Sequence, residues 1–187
     1  MKNEMLSIEK MLEIETWIDN VQSSILHDFI ENENLLQKLN LKLEYVDQKD
    51  FPANTEAELR PCEDKNYYGL IRLNNNYVNT RFAYMHEIIH YLMDVGFGNY
   101  VTKIFSRRTK GNTIDNHEQE INYATAATIL RYSQMKDIIL KYDRSKPKMD
   151  ELAMVNDICK EYGQEQTTVI RRVQEVRKLM KKRMTSY

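Results

Sequence analysis

The chain has 187 residues, 42% of them hydrophobic, with 27 Lys and Arg against 28 Asp and Glu for a net charge of −1. That is length and apolar content for one packed domain with a small appendage, and it excludes a disordered chain. The even charge balance gives no overall pull toward nucleic acid or acidic lipid.

Cys62 and Cys159 belong to no C-x-x-C motif, which fits free thiols in a reducing compartment better than a disulfide framework. No apolar run reaches signal-peptide or membrane-spanning length, so the expected location is the cytoplasm, with no membrane partner.

Residues 5–38 show a helical stripe of Ile14, Trp17, Ile18, Val21, Ile25 and Phe29, which Asp19-Asn20 or Asn32-Glu33-Asn34 can interrupt. The period then changes to two. Leu41, Leu43 and Tyr45 alternate with Lys42 and Glu44, as in a half-buried strand. Residues 56–60 are a weaker strand candidate, and Tyr68-Gly69-Leu70-Ile71-Arg72-Leu73 a clear one.

From Asn79 the helical period returns with Phe82, Met85, Ile89, Leu92 and Met93, and Gly96 and Gly98 close that helix. Residues 99–114, with Arg107-Arg108-Thr109-Lys110, read as a basic exposed loop. One helix is expected from Asp115-Asn116 to about Tyr142. Residues 141–148 read as a linker, and two further helices meet at Gly163. The expected organisation is a core over residues 1–142 and a helical pair over residues 143–187.

The central helix carries Met85-His86-Glu87-Ile88-Ile89-His90, an H-E-x-x-H sequence. One helical turn is 3.6 residues, so His86 and His90 share a face and can hold one Zn²⁺. Glu87 lies beside that face, where a carboxylate serves as general base toward water.

A zinc site of this kind needs a third protein ligand. The helix after Asp115 offers His117, Glu118 and Glu120. Glu120 heads a stripe of small residues with Ala124 and Ala127, so it is the expected ligand. Glu118 reads as a first-turn acid favoured by the helix dipole. His117 is the alternative ligand, a supporting partner, or a donor to the oxyanion; Tyr91 and Tyr123 are further donor candidates.

Gly69–Asn74, Arg81–Leu92 and the string Glu118-Gln119-Glu120-Ile121-Asn122-Tyr123-Ala124 resemble the ImmA/IrrE metallopeptidases. The resemblance implies an α+β, mostly helical zincin-like domain, its small two- to three-stranded, mainly antiparallel sheet packed on the motif helix. It implies His86, His90 and Glu120 as zinc ligands and Glu87 as general base. It also implies an endopeptidase whose protein substrate is a helix-turn-helix repressor of a phage or mobile element. Ile89 stands where the family usually has Gly, and Ile121 and Ala124 also depart from its pattern. These changes bear on groove shape and substrate.

A second reading comes from the last helix, which holds Arg171, Arg172, Arg177, Lys178, Lys181, Lys182 and Arg183. It is a DNA-binding or protein-docking regulator with a structural or weakly active zinc site. Glu165 and Glu175 interrupt the charge, so a solvated helix face is favoured over a nucleic-acid partner.

Overall fold

A computed structural model describes residues 6–24, 34–53, 55–75, 80–108, 116–145 and 150–185. The element order is α1 (Ile8–Ser24), α2 (Asn34–Leu39), β1 (Leu41–Val46), β2 (Thr55–Arg60), β3 (Gly69–Asn74) and α3 (Thr80–His90). There follow β4 (Phe105–Arg108), α4 (Asn116–Ile129), α5 (Tyr132–Asp143), α6 (Glu151–Tyr162) and α7 (Gln166–Thr185). The fold is α+β and mostly helical, as expected. Of the expected breaks in the first helix, Asp19-Asn20 lies inside α1, and Asn32 and Glu33 lie outside the described residues. The basic loop's Thr109 and Lys110 lie outside them too.

The chain forms two compact units, Val21–Ile121 and Met1–Asn20 with Asn122–Tyr187. This differs from the expected division after residue 142. The helices beyond that point belong with α5 and the start of α1, for a reason visible in one side chain. Arg172 on α7 is fully buried and donates from Nη2 to Glu15 Oε1 at 2.7 Å and from Nε to the Leu130 carbonyl at 2.9 Å.

A buried guanidinium needs both charge and hydrogen-bond partners, and it gathers them from α1, the end of α4 and its own helix. The same contact accounts for another difference. The single helix expected to run to Tyr142 breaks at Leu130-Arg131 with neither Gly nor Pro present. Arg131 adopts an extended ψ of 142° while Leu130 gives its carbonyl to Arg172. Gly163, by contrast, ends α6 as expected, in a left-handed conformation that glycine adopts without steric cost.

The other unit is built on a four-stranded mixed sheet in the order β1-β3-β2-β4. β1 and β3 pair in parallel, while β2 pairs antiparallel with both β3 and β4. With two of its three pairings antiparallel the sheet is mainly antiparallel, as expected, and it has one strand more than the two or three expected. β4 is four residues long, too short to show a period, and it forms by pairing with the edge of β2 across an irregularity at Thr55/Ala57.

Cross-strand register puts Ala57 opposite Leu73 and Leu59 opposite Ile71, and all four are buried. Each buried Leu or Ile contributes about 1.5–3 kcal/mol. The other face carries charge: Glu58 and Arg72 are directly paired at 3.0 Å, and Arg72 lies over the Phe51 ring. α3 packs on β2, β3 and β4. Gly69 is required at the start of β3, because a Cβ there would lie 2.5 Å from Val101 Cγ2.

Candidate metal centre

The site sits in the sheet-containing unit, on the C-terminal half of α3. Met85 to His90 are all buried, including His86, Glu87 and His90. Side chains one turn apart stack along a helix, and the two imidazole rings have centroids 4.8 Å apart with planes at 76°. Phe105 from β4 packs its ring 5.0 Å from that of His90. The strand that the sequence concealed is therefore one wall of the site.

The third group arrives from the first turn of α4, and it is Glu118. Its Oε1 lies 2.9 Å from His86 Nε2, and its Oε2 lies 3.4 Å from His90 Nε2. This corrects the expectation of Glu120, which is half-buried and belongs to neither group of potential metal ligands.

The small-residue stripe misled because α4 is buried on every side from Tyr123 to Ile129, so small residues single out no face. Glu118 heads an inward stripe of its own, with Ile121, Thr125 and Thr128 at i+3, i+7 and i+10, all fully buried. Its place in the first turn also suits a carboxylate electrostatically.

The electrostatics show how tightly the three groups are coupled. Burial by itself lowers the affinity of His90 for a proton. The Glu118 hydrogen bond, the Glu87 charge and the Asp94 hydrogen bond outweigh it and raise the pKa above the ordinary histidine value. For Glu118, burial acts to raise the pKa, but the two imidazoles pull it far below the usual carboxylate range.

The ligand atoms of His86, His90 and Glu118 lie within 4.8 Å of one another. Zinc bonds of about 2.0–2.1 Å set tetrahedral donors roughly 3.4 Å apart, close to the spacings found here. Two imidazole nitrogens with one carboxylate oxygen are a fitting donor set for a zinc site that keeps a position open.

Around these ligands stands a residue the sequence reading passed over. Asp94 lies in a π turn over Tyr91–Val95 that continues α3 and is closed by the Gly96 N–H donating to the Tyr91 carbonyl. Such turns often mark functional sites. Asp94 Oδ2 is 2.6 Å from His90 Nδ1, and Oδ1 is 2.8 Å from His117 Nε2. The available signal was an acid four residues after the second histidine, on the same helix face.

His117 thus meets Asp94 and is half exposed. The two tyrosines are held elsewhere. Tyr91 donates its hydroxyl to the Asn99 carbonyl and accepts from the Gly98 N–H. Tyr123 donates to Glu15 at 2.7 Å, within the Arg172 network. Neither hydroxyl is brought to the histidines.

A groove of about 460 Å³ opens beside the site, lined by His90, Glu118, His117, Met93, Lys103 and Phe105. A larger cavity of about 790 Å³ lies in the helical unit, around Met154, Met180 and Arg177, and contains no histidine. Chemistry rather than size picks out the first. Among the described residues no helix is long and apolar enough to cross a membrane. Comparison with protein-family models gives no match, and comparison with curated proteins gives none either.

Proposed function

We propose that this protein is a cytoplasmic zinc-dependent endopeptidase that cleaves a helix-turn-helix repressor of a phage or mobile element. The observation that carries the reading is the convergence of one Glu118 carboxylate on Nε2 of both His86 and His90, with Glu87 buried on the same helix. In this reading His86, His90 and Glu118 hold the zinc. Zinc, when bound, supplies Lewis acidity toward the peptide carbonyl and toward water.

The chain's own residues supply the rest. Glu87, the general base, takes a proton on its carboxylate from the attacking water and returns it to the leaving amine. Its charge already acts on His90, which places it within electrostatic reach of the ligand set. β4 is an edge strand, and Phe105 and Ser106 line the groove. An extended peptide can add to such an edge through main-chain hydrogen bonds. The free thiols of Cys62 and Cys159 support a reducing compartment. The repressor as substrate and the family itself rest on the resemblance of the motif segments.

The nucleic-acid reading loses support, because the basic helix is largely engaged within its own unit. Arg171 pairs with Glu175, Arg172 with Glu15, and Arg177 with Asp143 and Glu151, while Arg183 lies over the Tyr132 ring. Acids paired with these cations offset part of the positive charge that a phosphate would meet.

The test is metal content together with cleavage of a candidate helix-turn-helix repressor. The purified protein should carry near-stoichiometric zinc, lost in His86→Ala. Glu87→Gln should retain the zinc and lose cleavage. Full cleavage by Glu87→Gln would falsify the general-base assignment, and absence of zinc from the wild type would remove the metal reading.

A further inference from the structure

The geometry points to Asp94 as a positioning residue that fixes two zinc ligands at once: His90 directly, and Glu118 through His117. The inference rests on the zinc reading above.

Asp94 reaches both histidines with its two oxygens, at 2.6 Å to His90 Nδ1 and 2.8 Å to His117 Nε2. An ionised carboxylate has only acceptor sites, so each of those nitrogens carries the hydrogen. With hydrogen held on Nδ1, His90 gives up the hydrogen of Nε2, the atom 3.4 Å from Glu118, to present a lone pair to a metal. The ring cannot turn over without losing the Asp94 bond. Both nitrogens of His90 are therefore assigned, one to orientation and one to the ligand set. Asp94 is partly buried at the edge of the groove, with 13% of its side chain exposed.

The second contact acts on a different element. His117 and Glu118 are neighbours in the first turn of α4, and the His117–Asp94 bond ties that turn to the π turn after His90. Docking the turn there brings Glu118 to the histidines. His90, Asp94 and His117 can also be read as ligands of a second cation. That arrangement would make His90 bridge two metals through both nitrogens, at the cost of both ring protons. The short contact at Nδ1 fits a charge-assisted hydrogen bond instead.

The experiment uses the full chain and measures zinc affinity by competition with a chromogenic chelator. Removing a carboxylate that orients a ligand histidine typically lowers metal affinity about 10–100-fold, and Asp94→Ala should fall in that range. Asp94→Asn keeps an oxygen that can accept from Nδ1–H and should recover part of the loss. His117→Ala, which leaves the His90 contact in place, should weaken binding less than Asp94→Ala.

Nitrogen-15 histidine spectra of the zinc-loaded protein give a second readout. The His90 Nδ1–H signal should persist in wild type, Asp94→Asn and His117→Ala, and be lost or strongly shifted in Asp94→Ala. Wild-type affinity and an unchanged spectrum in Asp94→Ala would overturn the proposal. So would an affinity in His117→Ala as low as in His86→Ala, which would make His117 a ligand. A wild-type chain that binds no zinc removes the metal reading itself, whereas zinc binding that is indifferent to Asp94 removes the positioning role alone.

Discussion

Replacing Glu118 by Gln keeps the shape of the side chain and removes its charge from between two imidazoles. In the structure its oxygens stand 2.9 Å from His86 Nε2 and 3.4 Å from His90 Nε2, so one substitution touches the whole ligand set. Four-ligand structural zinc sites bind with about 10–16 kcal/mol, or roughly 2.5–4 kcal/mol for each ligand. At about 1.4 kcal/mol per tenfold, loss of one ligand lowers affinity about 10²–10³-fold. Gln still offers a neutral oxygen, so the expected loss lies toward the lower end. Glu120→Gln, by the same measurement, should lose much less, since Glu120 belongs to neither group of potential metal ligands. The assay is chelator competition on both variants, with thermal unfolding as a control for folding. A larger loss in Glu120→Gln than in Glu118→Gln would restore the original choice of ligand and refute the geometry described here.

Two further outcomes follow from the same structure. Arg172→Met should leave Glu15 buried without its cation, while Glu175 keeps Arg171. Breaking a buried pair costs about 3–5 kcal/mol, which for a chain of this size lowers Tm by roughly 6–20 °C. A Tm within 2 °C of wild type (about 1 kcal/mol or less) by calorimetry would show that the network contributes little. Zinc uptake should also release protons. Between the ordinary histidine pKa of about 6.5 and the raised value of metal-free His90, the free ring holds a proton that zinc must displace. Affinity should therefore rise with pH through that window, and binding heats should differ between buffers of unlike ionisation enthalpy. Equal heats in both buffers throughout that window would contradict the raised pKa.

The candidate site residues on α3 were legible because a helix converts spacing into geometry. His86 and His90, four apart, have one physical arrangement on a helix, and the apolar stripe with its terminal glycines marked the helix itself. The strands β1 and β3 were legible for the parallel reason, a period of two. α4 was the harder case. A helix buried all round has no polar face to orient it, so the sequence left Glu118, Glu120 and His117 in contention, and periodicity preferred Glu120 where the structure brings Glu118 to the histidines.

What the sequence determined by itself is therefore local: where the helices and main strands form, and that two histidines and an acid share one turn. Tertiary structure decided everything that depends on a partner element. β4 exists because β2 has an edge to pair with, and it supplies Phe105 to the site. α4 ends at Ile129 because Arg172, some forty residues further along, takes the Leu130 carbonyl. Asp94 meets His90 and His117 through a turn wider than an α-helix. Glu118 becomes the third group because of where α4 starts relative to α3. None of these facts has a periodic signal, since each is set by the packing of one segment against another distant in the chain.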